Sequence, residues 1–273
     1  MNTRWSSLLR SRTFMTGAVI IAFWVGCAIF GQWLVPHDPF ADDILNALAP
    51  PSANHWFGTD QLGRDVFSRV VVGARDVLEV APLATLLGVV LGVNLGLVTG
   101  YFGGLIDDII GRLIDALLAL PVVIVALVAL AAIGVSTVTV VVVIGSIFAL
   151  MIARTVRAAV LSECSLDYVA AATLRNEHGF YILFVELLPN ITPPIVVEAS
   201  VRLGYAIFAV ATLSFLGFGI QPPSPDWGLA VADNYGLING GIWWPALFDA
   251  LAIASLVIGV NLLADGVQAA VET

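Results

Sequence analysis

The stretch DYVAAATLRNEHGFYILFVELLPN (167–190) decides how this chain is read. It holds Asp167, Arg175, Glu177, His178 and Glu186, yet apolar runs long enough to cross a bilayer lie on both sides of it. Charged side chains are expensive inside hydrocarbon, so such a segment belongs at the membrane surface, where it can grip a partner. Ala170, Ala171 and Ala172 give a helix surface with little bulk, suited to a groove. Asn176-Glu177-His178-Gly179 then breaks that helix, and Phe180 to Leu188 begins a second. Pro189, Pro193 and Pro194 are expected to mark re-entry into the membrane as stiff, non-helical punctuation. A short helix on a rigid elbow passes a partner's displacement to the span that follows. The competing reading is an ordinary amphipathic loop on the inner surface.

Working outward, the class follows from composition. Of 273 residues, 59% are hydrophobic and 11% charged, and the mean hydropathy is +0.98. Soluble domains carry about 25% charged residues, so this is an integral membrane protein. Stretches 13–37, 80–106, 116–153 and 203–225 lack Asp, Glu and Arg, and 244–264 contains only Asp249. One span needs about 20 residues, and 116–153 is interrupted at Gly134-Val135-Ser136, so it contributes to two. The expected architecture is all-α, with six spans near 13–35, 80–101, 106–133, 137–158, 194–218 and 244–267. Strands of a barrel would instead alternate over about 10 residues.

The positive-inside rule orients the chain. With segment 1–12 inside, the inner segments hold Arg4, Arg10, Arg12, Arg112, Arg154, Arg157 and Arg175. The outer turn near 134–137 and outer loop 219–243 hold no basic residue. Outer loop 36–79 contains Arg64, Arg69 and Arg75 but also seven acids. Both termini are therefore expected in the cytoplasm, with loop 159–193 on the same side. The apolar run 13–35 is longer than a signal-peptide core and no small-residue cleavage site follows, so an uncleaved first span is expected. Within 36–79, Val66, Phe67, Val70 and Val71 follow helical spacing, which predicts an amphipathic helix on the membrane surface capped by Thr59 or Asp60. Gly92, Gly96, Gly100, Gly103 and Gly104 form a small-residue packing face, within the chain or against a partner.

Catalytic, cofactor and metal sites are not expected. There is no HExxH, GxSxG or Walker A sequence, so any ATP is bound by another chain. His37 and His55 with Asp38 or Asp60 form the nearest approach to a metal set, and Cys27 and Cys164 are too far apart in the pattern to pair. A net charge of −9 with scattered acids does not suggest nucleic acid as a partner, and none is expected. Glu198 and Arg202, four apart with Glu first, are expected to pair, with gating or contact to cargo as the alternative. Asp107, Asp108, Arg112 and Asp115 read as a solvated interface rather than an ion site. Asp249 either faces an aqueous pathway or hydrogen-bonds a partner subunit.

Three stretches share one resemblance. GTDQLGRDVFSRVVVGAR (58–75), loop 167–190 with its Leu187-Leu188-Pro189-Asn190 ending, and SFLGFGIQPPSPDWG (214–228) resemble permeases of ATP-binding-cassette importers for peptides and nickel. They look specifically like the C-type subunit of dipeptide and oligopeptide systems. VTGYFGGLIDDIIGRLIDALLALP (98–121) and NLLADGV (261–267) also fit, in order along nearly the whole chain. The resemblance implies a type I importer fold in the bacterial cytoplasmic membrane. It further implies a homologous B-type permease, two ATPase subunits carrying ATP and Mg, and an extracytoplasmic substrate-binding protein.

By the same resemblance the ATPase-coupling residues are Glu163, Asp167, Tyr168, Ala170, Ala171, Ala172, Arg175, Asn176, Glu177, His178 and Gly179, with Leu188, Pro189 and Asn190 ending the loop. The outer-loop motif is Gly58, Thr59, Asp60, Gly63, Arg64 and Asp65. Three positions depart from the family pattern: Ala170 stands where Glu is usual, Asn176 where Gly is usual, and Glu186 where the subfamily often has His. Cargo is peptide by resemblance, with nickel or another small solute as the alternative. A self-sufficient secondary transporter or channel is the reading from another class, and the absence of an internal repeat argues against it; a membrane scaffold without transport is the third.

Overall fold

The computed structural model describes residues 11–272. Segment 1–12 therefore lies almost wholly outside the described residues. Helix α1, Arg12–Leu34, starts at Ser11, whose Oγ accepts the Phe14 N–H at 3.4 Å. It runs antiparallel to the last helix, α9 (Trp244–Glu272). Gly17 permits this approach, since a Cβ there would sit 2.6 Å from the Gly259 carbonyl oxygen. Higher up, the Trp24 indole donates to Ser255 Oγ at 2.9 Å. Phe14 packs on Gly266, so the two described ends of the chain lie on one side of the bundle.

Helix α2, Val66–Phe102, has 37 residues, about 55 Å at 1.5 Å per residue against roughly 30 Å of hydrocarbon. The expected surface helix is thus corrected. The loop expected over 36–79 ends at Asp65, and 66–79 form the first four turns of a long helix whose Val66, Val70, Ala74 and Val77 are buried. The Trp227 indole and the Pro225 carbonyl close over Gly73, covering a face that would otherwise have met lipid. The cap is also corrected. Asp65, not Thr59 or Asp60, accepts the Ser68 N–H at 2.9 Å and the Ser68 hydroxyl at 2.6 Å through Oδ2.

At the far end, Gly103 and Gly104 (φ 59° and 56°) turn the chain out of α2. The span expected over 106–133 is two helices, α3 (Gly104–Leu118) and α4 (Val122–Ile133), bent by 93°. Pro121 explains the break, because its ring disfavours helical angles at Leu120 and it has no N–H to continue the ladder. Helix α5, Thr137–Glu163, opens on a capping box in which Ser136 and Thr139 bond reciprocally.

The tightest seam joins α2 to α5. Gly88, Gly92, Gly96 and Gly100 recur every four residues and face Gly145, Ala149, Ile152, Val156 and Val160. Without side chains to interpose, the two backbones approach closely and dispersion contacts accumulate along the seam. Of the five glycines expected to form one packing face, Gly92, Gly96 and Gly100 pack inside this chain. Gly103 and Gly104 have open space around them and serve the turn instead.

The remaining helices are α6 (Asp167–Leu174), α7 (Gly179–Phe215) and α8 (Trp227–Asn234). The prolines expected to interrupt the chain lie inside α7. A wide helical turn over Ile182–Leu187 precedes Pro189, which therefore sits where the helical ladder is already opened. Asn190 Nδ2 and Thr192 Oγ1 donate to the Glu186 and Leu188 carbonyls at 2.8 and 2.9 Å, so both polar side chains are satisfied within their own helix. Among the described residues, five helices are each long and apolar enough to span a membrane, or six spans if the bent pair counts as one. The expected all-helical membrane architecture is what forms.

Candidate functional site

The polar segment between α5 and α7 folds as an elbow. Helix α5 ends at Glu163, and α6 begins with Asp167 in its first turn, where a negative charge suits the exposed N–H groups. Val169 and Ala172 are buried on the same side of α6 as the fully enclosed Ile182, Leu183 and Leu187 of α7. Ala170 and Ala171 are exposed, as is Leu174 at 88%. The three alanines expected to offer one face to a partner thus divide: Ala172 packs into the elbow itself, and Ala170 and Ala171 remain outside.

Asn176 ends α6 in the left-handed region at φ 57°. The Glu177 N–H reaches the Ala172 carbonyl at 3.3 Å and the Asn176 N–H reaches Thr173 at 2.9 Å, the paired bonds of a Schellman turn. Asparagine tolerates this conformation better than most residues with a Cβ, so the turn survives without glycine. His178 precedes α7 without a side-chain cap. A Cβ at Gly179 would lie 3.5 Å from both Tyr101 and Phe102, so the elbow rests on the end of α2 beside the Gly103-Gly104 turn.

Ion pairs bridge the elbow. Arg175 bonds Glu186 across the turn at 3.1 Å and lies 3.5 Å from Glu177. Glu163 accepts the Tyr168 hydroxyl at 2.6 Å. Burial, and then that bond to a carboxylate, push the Tyr168 pKa up to about 12. Burial and the Glu163 charge also push the Cys164 thiol up. Leu188, Pro189 and Asn190 lie on the first turns of α7 past the wide turn. Glu163, Arg175 and Glu177 are therefore already engaged within the chain, whereas Asp167 and His178 are exposed.

Next to the elbow, Arg157 of α5 forms a two-bond fork with Asp107 of α3, one arm at 2.5 Å. Arg154 stands 3.8 Å from Asp115. With Asp108 and Arg112 these residues line a cavity of about 420 Å³ between α3 and α5. Deeper in α7, Glu198 and Arg202 pair at 2.6 Å as their spacing predicts. Arg202 also reaches Met151 Sδ at 3.2 Å, tying α7 to α5.

The motif at 58–65 is a knot of buried polar groups. Asp60 accepts the Leu62 and Arg64 N–H groups at 2.9 and 3.0 Å and the Arg64 Nε at 2.7 Å. Arg69, only 5% exposed, lies 3.7 Å from Asp60 and donates to the Pro39 carbonyl at 3.1 Å. The Thr59 hydroxyl accepts the Ala49 N–H at 2.8 Å, and its carbonyl accepts the Trp244 indole at 3.1 Å. Gly58 and Gly63 both adopt φ 76°; a Cβ at Gly63 would fall 1.7 Å from the Asp43 carbonyl oxygen. Asp249 is 2% exposed, with Oδ1 lacking a hydrogen-bond partner among the described residues. It faces the interior of this chain, which corrects both expected roles. Arg69 was missed from sequence; its spacing after Asp65 resembles that of any exposed helical arginine.

The apolar helical bundle, with its glycine-seamed spans and a polar elbow between α5 and α7, is that of a multi-pass membrane protein. The chain belongs to the family of binding-protein-dependent transport system inner membrane components, whose model matches residues 92–273. Residues 2–51 match the N-terminal transmembrane domain of oligopeptide transport permease C. The chain is 38% identical over 268 residues to the dipeptide transport system permease protein DppC of Bacillus subtilis (strain 168), covering 98% of this chain and 84% of that protein. It is 34% identical over 274 residues to the di/tripeptide transport system permease protein DppC of Pseudomonas aeruginosa (strain UCBPP-PA14), covering 98% and 90%. Against the probable D,D-dipeptide transport system permease protein DdpC of Escherichia coli (strain K12), identity is 37% over 260 residues, covering 93% and 85%. It is a multi-pass protein of the bacterial inner membrane and a transport component, not an enzyme.

Proposed function

We propose that this chain is the C-type permease subunit of an ATP-binding-cassette importer of short peptides. It pairs with a homologous B-type permease to enclose the pathway, and two ATPase subunits drive it from the cytoplasm. An extracytoplasmic binding protein delivers cargo to the outer side. Peptide cargo rests on the names of its relatives, and the cytoplasmic placement of the elbow and both termini on the distribution of arginine.

The observation that carries the mechanism is the elbow. Helix α6 is bound to the start of α7 through Val169, Ala172 and the Arg175–Glu186 pair, leaving Ala170, Ala171 and Leu174 outward. A partner seated on that outward face moves α6 and α7 as one body. Because α7 continues without interruption to Phe215, displacement at the elbow becomes a tilt of the span carrying Glu198 and Arg202. The contact of Gly179 with Tyr101 and Phe102 takes the same motion to the α2–α3 turn.

The test is Ala171→Trp in the complete complex, reconstituted with its ATPases and binding protein. Expected is loss of cargo uptake with ATP hydrolysis persisting, while membrane insertion and thermal stability are unchanged. Undiminished uptake would refute the reading. Supplying dipeptides, longer peptides and nickel in parallel assigns the cargo class. Cys164 labelling from either side of the membrane reports orientation, run at alkaline pH because its thiol pKa is raised. Exposure on the outer side would overturn the assignment of the elbow to the cytoplasm.

A further inference from the structure

The outer loop brings together two imidazoles and a carboxylate that sequence separation keeps apart. His37 follows α1, His55 lies in the loop, and Asp65 caps α2; each has a ligand atom within 4.8 Å of those of the other two. The two rings face one another with centroids 4.7 Å apart and planes tilted by 32°. His37 Nε2 lies 2.8 Å from the Asn54 carbonyl oxygen. Only a protonated ring nitrogen can bond a carbonyl, so Nε2 carries the hydrogen and the lone pair of the neutral ring falls on Nδ1. His55 Nδ1 lies 2.8 Å from Asp65 Oδ1, the second carboxylate oxygen being taken by Ser68.

His37 and Asp65 are thus each oriented by a bond outside the cluster, to Asn54 and to Ser68, the arrangement that holds histidine and carboxylate ligands at metal centres, and His55 is held by Asp65 itself. Asp65 is 3% exposed, and its place at the head of α2 keeps Oδ1 directed at His55. A bound cation would replace the proton shared by His55 Nδ1 and Asp65 Oδ1. Two nitrogens and one oxygen suit a borderline transition-metal dication. They are too few and too nitrogen-rich for calcium or magnesium, which take six or more oxygens. The pairings weighed from sequence put Asp38 or Asp60 in this role. Asp60 is instead consumed by Arg64 and Arg69, and Asp38 Oδ1 accepts the Phe40 N–H at 2.9 Å.

We infer that His37, His55 and Asp65 form a binding site for a zinc-class divalent cation on the outer face, tying the end of α1 to the head of α2. The site stands apart from peptide import and does not depend on it. The test uses the full chain in detergent, freed of any affinity tag that binds metal. It is equilibrated with micromolar zinc chloride, nickel chloride or calcium chloride, desalted, and assayed for metal by mass spectrometry. Expected is about one zinc or nickel ion per chain, no retained calcium, and affinity lowered about tenfold or more in His37→Ala. His37 is exposed and held by that one carbonyl bond, so its removal leaves the fold intact; His55→Gln gives a second ligand loss. Metal content equal in wild type and His37→Ala, retention of calcium, or no stoichiometric zinc or nickel would overturn the site.

Discussion

Replacing Gly96 by alanine should force α2 and α5 apart. A Cβ at Gly96 would lie 2.6 Å from Val156 Cβ and 2.8 Å from the Ala153 carbonyl oxygen. An ordinary carbon contact is about 3.5–4.0 Å, so the seam must open by roughly 1 Å. Neither obstacle can swing away, since one is backbone and the other is the branch point of a helical valine. Overpacking of this kind costs about 1–3 kcal/mol. Gly88→Ala, whose new Cβ would meet the Gly145 oxygen at 3.1 Å, should cost under about 1 kcal/mol by the same reasoning. Gly26→Ala is the control: nothing lies within 4 Å, so the gain in helix propensity, up to about 1 kcal/mol, is left unopposed. Gly92 and Gly96 stand one turn apart against the same helix, so one displacement relieves both and the double variant should cost less than the sum. Thermal unfolding in detergent, read by a thiol-reactive dye on buried Cys27 in a Cys164→Ser background, ranks the series. A Gly96→Ala protein as stable as Gly26→Ala would refute the steric argument.

Two further outcomes follow from local chemistry. Burial pushes the Asp226 pKa up to about 6, above the roughly 3.9 of an unfolded aspartate, so the folded state holds that proton more tightly. Its contribution is full below about pH 4, declines as pH climbs through 6, and is flat above, a loss of about 2–3 kcal/mol. Asp226→Asn keeps an oxygen for the Leu229 N–H and should remove that slope from a Tm-against-pH profile; an unaltered slope would show that another group causes it. Asn176→Gly should stabilise the elbow by up to about 1 kcal/mol and Asn176→Val should destabilise it, because only the backbone at φ 57° is at issue. Equal melting temperatures for the two variants would contradict this.

The elbow shows how far residues alone can be read. The turn at Asn176 and the Glu198–Arg202 pair depend on neighbours within four residues, and both were legible. Placement of Ala172 inward was not, because it depends on which side of α6 meets Leu183 and Leu187, and an alanine triplet carries no preference among its faces. The prolines misled for a related reason. Proline forbids an ordinary ladder, but a wide helical turn over Ile182–Leu187 opens the ladder ahead of Pro189, which chain order does not display.

The sequence by itself determined the solvent: run lengths and the scarcity of charge require a lipid-embedded helical protein, and its ordered motifs identify its relatives. Tertiary structure alone decided where helices begin and what becomes of each polar group. Residues 66–79 join the bundle because Trp227, 157 positions beyond Val70, bonds its carbonyl at 2.9 Å. His37 and Asp65 come together because the chain returns between α1 and α2. Hydropathy responds to the nearest residues and the medium, whereas burial of a helix face depends on which distant segment covers it.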